Sequence, residues 1–223
     1  MNEQWFLEDF SSNSKHLVVA FGSFRMFNTP KSGKRGFEWK KLFKYKYKDL
    51  EFNKLFVADS RNSWWHTEFG DLPGIGPPTL TKFLYEKIEK SNAEKTLFVG
   101  VSMGGYGAIL FGCLTEATKV MAFSPQTFLS KGRRNRFLTE KFEGYDVDES
   151  MTDLKPILEN STNDKTIYKI WHGSLNASDT KAANRISHIK NVEINTINSS
   201  KHNVIQPILK RGTFREELQN FLK

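Results

Sequence analysis

The stretch Leu97-Phe98-Val99-Gly100-Val101-Ser102-Met103-Gly104-Gly105-Tyr106-Gly107-Ala108 restricts the fold more than any other part of the chain. Thr96 to Val99 is apolar, β-branched and aromatic, the composition of a buried strand. Gly104 to Cys113 is small and apolar, the composition of a helix lying close on a sheet. Five residues, Gly100-Val101-Ser102-Met103-Gly104, must therefore carry the chain from strand to helix. Such a turn is sharp enough for the backbone to pass close to itself, and Gly100 and Gly104 stand where bulk is not tolerated. In a Gly-x-Ser-x-Gly elbow the serine at the apex, here Ser102, is held out from the sheet edge, often in strained backbone. The amide of Met103 then points toward the place where an oxyanion forms.

The chain has 223 residues, enough for one α/β domain with a sizeable core, so residues 1–223 are read as a single domain. No run of about 18 apolar residues occurs, so no membrane span is expected. The start, Met1-Asn2-Glu3-Gln4-Trp5, lacks a basic region followed by an apolar one, so no secretory signal is expected and a cytoplasmic location follows. The only cysteine, Cys113, falls on the apolar helix and reads as core. The formal charge is +8, with basic clusters at Lys31-Lys34-Arg35, Lys40-Lys41-Lys44-Lys46-Lys48 and Lys131-Arg133-Arg134-Arg136. Such charge attracts nucleic acid, anionic lipid or an acidic substrate. No zinc-ligand spacing, phosphate-cradling loop or RNA-binding aromatic signature accompanies it. A solvated basic surface is the simpler reading, and no nucleic-acid partner is expected.

Short apolar runs predict strands at residues 15–21, 54–58, 96–99, 117–123, 166–171 and 191–197. Helical spacing predicts a helix over 78–92 starting at Thr79, and a closing amphipathic helix over 207–223. Strands alternating with helices indicate an α/β fold, a mostly parallel central sheet with helices on both faces. Ligands on such sheets bind at the carboxyl ends of the strands. The polar groups of interest all follow strand ends, an agreement between levels that outweighs any one motif.

With the run Val-Ser-Met-Gly-Gly-Tyr-Gly-Ala and a histidine after the last strand, the chain resembles the α/β-hydrolase superfamily. More narrowly it resembles small bacterial serine hydrolases and esterases, some linked to polysaccharide or glycoconjugate clusters. The resemblance runs from about Leu17 to Lys223 and implies the order serine, acid, histidine. Ser102 is then the nucleophile. His202, in Asn198-Ser199-Ser200-Lys201-His202, is the base. His16, His66, His172 and His188 fit that position less well. For the acid, the loop His172-Gly173-Ser174-Leu175-Asn176-Ala177-Ser178-Asp179 departs from the family, which often has aspartate where Asn176 stands. Asp179 is favoured. Asn176 as a neutral orienter and an acid from elsewhere remain open, and Asp179 is alternatively the N-cap of a helix over 180–188. The oxyanion hole combines the Met103 amide with one from Gly22-Ser23-Phe24, most directly that of Ser23 or Phe24.

Tyr106, Trp64, Trp65, Arg25 and Gln126 are the candidate substrate-binding residues. Aromatic faces among polar neighbours suit a sugar ring or an acyl chain, and core packing of both tryptophans is an equal alternative. Residues 124–165 read as a small cap or insert. Its arginines, Arg133, Arg134 and Arg136, would face an anionic substrate or simply the solvent. The expected activity is hydrolysis of an acyl ester or acylated sugar through an acyl-enzyme, with no metal and no organic cofactor. An acyltransferase or thioesterase with the same triad is one alternative, and a binding protein built on the hydrolase fold is another. The partner is a small-molecule or saccharide ester. The oligomeric state is not legible.

Overall fold

A computed structural model describes residues 5–11, 13–24, 37–129 and 148–223. The clusters at Lys31-Lys34-Arg35 and Lys131-Arg133-Arg134-Arg136, and the candidate residue Arg25, lie outside the described residues.

Seven strands form one sheet: β1 (Phe6–Asp9), β2 (His16–Phe21), β3 (Asn53–Val57), β4 (Lys95–Val101), β5 (Lys119–Phe123), β6 (Ile167–Gly173) and β7 (Val192–Ile197). Their order is β1-β3-β2-β4-β5-β6-β7. β1 pairs antiparallel with β3, and every other pair is parallel. The helices are α1 (Glu38–Lys46), α2 (Gly76–Lys90), α3 (Met103–Leu114), α4 (Leu154–Glu159), α5 (Ala177–Asn184), α6 (Ile205–Lys210) and α7 (Thr213–Phe221). Among the described residues no helix is long and apolar enough to cross a membrane.

The parallel strands carry apolar residues on both faces because both faces are covered. Leu17, Val19 and Phe21 of β2 join one core cluster with Trp65, Leu80, Leu84 and the apolar residues of α3. Val18 and Ala20 join the other, with Trp39, Phe43, Ile208, Phe214 and Leu218 of α1, α6 and α7. Cys113 is buried and free, as expected of a core residue.

The strand order decides where chemistry can sit. From β2 the chain moves to β3 on one side and then to β4 on the other, so the winding direction reverses between β2 and β4. Crevices open at the carboxyl ends of strands flanking such a reversal. Phe21 at the end of β2 is in register with Gly100 of β4. The segment Gly22-Ser23-Phe24 therefore emerges beside Ser102.

Several elements differ from the sequence expectation. β1 and α1 were not anticipated. The helix expected over 78–92 begins at Gly76, with Pro77 and Pro78 in its first turn, where the missing proline amide costs nothing. The single closing helix is two, α6 and α7, broken at Gly212, whose φ of +81° no helix interior accommodates. The helix expected over 180–188 is α5, and His188 lies beyond it, 2.7 Å from Glu159.

The approach of α3 to β2 is close enough to demand glycine. A Cβ on Gly104 would lie 2.5 Å from the Phe21 carbonyl oxygen and 3.0 Å from that of Gly22, both rigid backbone. Gly104→Ala is expected to destabilise the protein by about 1–3 kcal/mol, read as a lowered midpoint in urea. An unchanged midpoint would mean that helix and strand can separate at no cost.

Candidate active site

Ser102 joins β4 to α3 with φ 54° and ψ −115°, a backbone state that L residues avoid and that costs of order 1–3 kcal/mol. Its amide donates to the Phe123 carbonyl at 2.9 Å, extending the β4–β5 ladder by one rung before the chain turns. Its carbonyl accepts from the Tyr106 amide at 3.0 Å, the first bond of α3. The serine is thus fixed by sheet on one side and helix on the other. A Cβ on Gly100 would lie 2.1 Å from the Gly104 carbonyl oxygen, so the turn closes only with glycine there.

His202 follows β7. Its Nε2 lies 2.9 Å from Ser102 Oγ, and its Nδ1 lies 2.8 and 3.0 Å from the two carboxylate oxygens of Asp179. A carboxylate only accepts, so Nδ1 carries the proton and donates it to Asp179. Nε2 is then left with its lone pair facing the serine hydroxyl. Asp179 is 2% exposed and His202 43%, so the acid is sealed inside while the imidazole meets solvent.

Asn176 has a different part from the one the family pattern suggests. Its Oδ1 accepts from the Asp179 amide at 3.1 Å, making Asn176, not Asp179, the N-cap of α5. Its Nδ2 donates to the Ser200 carbonyl at 3.2 Å. One side chain therefore fixes both the start of the helix that carries Asp179 and the loop that carries His202.

The segment after β2 lies at the other side of Ser102. The Gly22 amide donates to the Val57 carbonyl at 2.8 Å and is spent on the sheet. Ser23 Oγ donates to Glu38 Oε2 at 2.6 Å. Trp39 Nε1 donates to the Phe21 carbonyl at 3.1 Å. Burial pushes the Glu38 carboxyl up to about 6, with the Ser23 hydrogen bond pulling the other way. Neither Glu38 nor Trp39 was singled out in the sequence, where they look like the start of a lysine-rich stretch.

The loop after β3 is organised by a buried carboxylate. Asp59 accepts from the Arg61 amide at 3.1 Å, the Trp65 amide at 3.0 Å and Ser63 Oγ at 3.4 Å. These bonds hold Asn62, Trp64 and Trp65 at positive φ of 51°, 56° and 71°. A strand-end Asp followed by Ser and Asn is the sequence signal for such a turn.

Trp65 and Tyr106, expected beside the substrate, are both fully buried. The Trp65 indole donates to the Met103 carbonyl at 3.0 Å, and Gly107 leaves the space for its ring. Tyr106 Oη donates to the Met151 carbonyl, tying α3 to the turn at Glu149–Thr152. These two side chains support the elbow from behind and have no surface to offer a ligand. Trp64 and Gln126 are partly exposed, as are Ser23 and Phe24. Trp64 packs near-parallel to Phe24, with ring centroids 6.4 Å apart, and edge-on to Tyr106. Among the described residues no group of three or more His, Cys, Asp or Glu is placed to hold a metal ion.

No known family model matches the chain, and no curated protein matches it in sequence. Solved structures do match. The capsule O-acetyltransferase of Neisseria meningitidis serogroup A, in complex with caged gadolinium, aligns at a TM-score of 0.72 and 17% identity, over 96% of this chain and 90% of that one. A fluorophosphonate-binding serine hydrolase of Staphylococcus aureus aligns at 0.62 and 14%, over 95% and 85%. The S-formylglutathione hydrolase of Staphylococcus aureus aligns at 0.61 and 13%, over 95% and 85%. The fold is that of the α/β hydrolases.

His66 gives the site a pH signature. Its Nε2 donates to Tyr106 Oη at 2.9 Å, since that hydroxyl has already given its proton to Met151. Burial pulls its pKa from 6.5 down to about 4. Below pH 6.5 the unfolded chain binds a proton that the folded chain refuses, so stability falls from pH 6.5 to about 4, by roughly 3 kcal/mol at most. Glu38, raised from 4.5 to about 6, acts in the opposite sense between those values and offsets part of this. His66→Gln is expected to flatten the acid side of a stability profile measured by urea unfolding. Parallel profiles for the two proteins would rule the assignment out.

Proposed function

We propose that this chain is a serine hydrolase acting on an acyl ester, with Ser102 as nucleophile, His202 as general base and acid, and Asp179 as the group that orients His202. The observation that carries the proposal is the continuous line of hydrogen bonds from Ser102 Oγ through both nitrogens of His202 to the buried Asp179. A serine hydroxyl is a weak nucleophile until a base takes its proton in the attack. Nε2 is placed for that, and the imidazolium so formed is stabilised by the Asp179 carboxylate.

In this reading Ser102 Oγ attacks the acyl carbon as its proton passes to Nε2. The carbonyl electrons move onto oxygen, which the Met103 amide and an amide of the Ser23-Phe24 segment receive. Collapse expels the alcohol, which takes the proton back from Nε2, and leaves the acyl group on Ser102. Water then repeats the sequence from the other side, and the acid departs. No step needs a metal or an organic cofactor.

Transfer of the acyl group to a sugar hydroxyl in place of water is the second reading. The similarity to the Neisseria capsule O-acetyltransferase favours it, as does the exposed edge of His202, which leaves a bulky acceptor room to approach. The acyl-enzyme is the same in both. They part only at the acceptor, and release of free acid in the presence of candidate saccharides would weigh against transfer.

Intact-mass measurement after treatment with a fluorophosphonate should show one adduct on the wild type and none on Ser102→Ala. A folded wild type that takes no adduct would refute the reading. Asp179→Asn is expected to lower turnover of an activated ester by about 10³-fold or more with the fold intact. Ser102→Ala and His202→Ala should each cost as much as the two together, because the groups act as a unit.

A further inference from the structure

The backbone that would complete an oxyanion site is gripped by a side chain with no part in the proposed chemistry. Gly22-Ser23-Phe24 leaves β2 beside Ser102 and is pressed on one side by Gly104 of α3. On the other side stand the first two residues of α1. Trp39 holds the Phe21 carbonyl, and Glu38 holds the Ser23 hydroxyl at 2.6 Å.

The use made of Glu38 is unusual for its position. It is the first residue of α1, and Phe37 before it supplies no side-chain cap. An acid in a first helical turn ordinarily serves the helix's own free amides or its dipole. Here one carboxylate oxygen reaches a residue fifteen positions earlier in the chain. The other, Oε1, is buried with no hydrogen-bond partner among the described residues. Burying a carboxyl oxygen away from a partner is unfavourable, so its placement calls for a reason. The same carboxyl holds Ser23 through its other oxygen.

We propose that Glu38 is a positioning residue for the oxyanion-binding segment: through Ser23 it fixes the Ser23-Phe24 backbone that leaves β2 beside Ser102. The proposal rests on the reading of Ser102 as nucleophile. The developing oxyanion is held only if its donors stand ready before the reaction, and a displacement of about 1 Å is enough to lose much of their effect. A hydroxyl tied to a carboxylate on a packed helix keeps such a segment in place. Ser23 is half-buried, and among the described residues its hydroxyl bonds to Glu38.

The test is steady-state kinetics on an activated ester with wild type, Glu38→Ala, Glu38→Gln, Ser23→Ala and the double variant Glu38→Ala/Ser23→Ala, each checked for folding by circular dichroism. Glu38→Ala and Ser23→Ala are each expected to lower kcat by about 10- to 100-fold with KM changed less than about threefold, the mark of an interaction that matters only in the transition state. The double variant should lose no more than the worse single one, because both break the same link. Glu38→Gln retains an oxygen that accepts from Ser23 and should recover most of kcat. Should Glu38→Ala misfold, Ser23→Ala and Glu38→Gln decide the matter between them. Folded variants with kcat within twofold of wild type, additive losses in the double variant, or a Glu38→Gln as slow as Glu38→Ala would each overturn the proposal while leaving Ser102 as nucleophile. A wild type that neither turns over ester nor takes the fluorophosphonate label would overturn both.

Discussion

The φ of 54° at Ser102 is the constraint from which the site follows. A serine adopts that backbone only where its surroundings leave no alternative. Here the Phe123 carbonyl fixes its amide, the Tyr106 amide fixes its carbonyl, and the Gly100–Gly104 contact leaves no room for a gentler turn. The same contact lets α3 sink against the end of β2. The helix then serves two ends at once: it begins with the Met103 amide directly after Ser102, and it presses on the backbone of Phe21 and Gly22 at the end of β2.

The site is supported from three directions by side chains outside the line from Ser102 through His202 to Asp179. Trp65, placed by the Asp59 turn, holds the Met103 carbonyl from beneath. Glu38 and Trp39 hold the end of β2. Asn176 holds together the two loops that bring Asp179 and His202. Each support is a directed hydrogen bond, so each specifies one geometry where apolar packing alone would tolerate several.

What the sequence disclosed and what it hid divide along physical lines. The parallel strands were legible because burial on both faces makes them continuous apolar runs. The elbow was legible because its turn demands particular small residues in a fixed order. Asp179 and His202 could be singled out because the resemblance implies an acid and then a histidine after the serine, in the loops that follow the last two strands, although nothing in one sequence distinguishes Asp179 from a cap, and Asn176 proved to hold that post. β1 was not legible: Phe6-Leu7-Glu8-Asp9 has no alternation, and as an antiparallel edge strand it takes its place from β3 rather than from its own pattern. α1 was hidden by its lysines, which made Glu38–Lys46 look like a charge cluster although Trp39 and Phe43 face the core. The burial of Trp65 and Tyr106 depends on space left by Gly107 and on the Met151 carbonyl, long-range partners that no local pattern announces.

The chain order of the three groups has a consequence for how the molecule is made. Ser102 belongs to the middle strand of the sheet, whereas His202 follows β7 and is trailed by α6 and α7. A ribosome therefore delivers the strained elbow well before it delivers the base. Asp179 follows β6 and His202 follows β7, so both arrive after the serine they approach. On the reading proposed above, a chain that stops before β7 would carry the serine without its base.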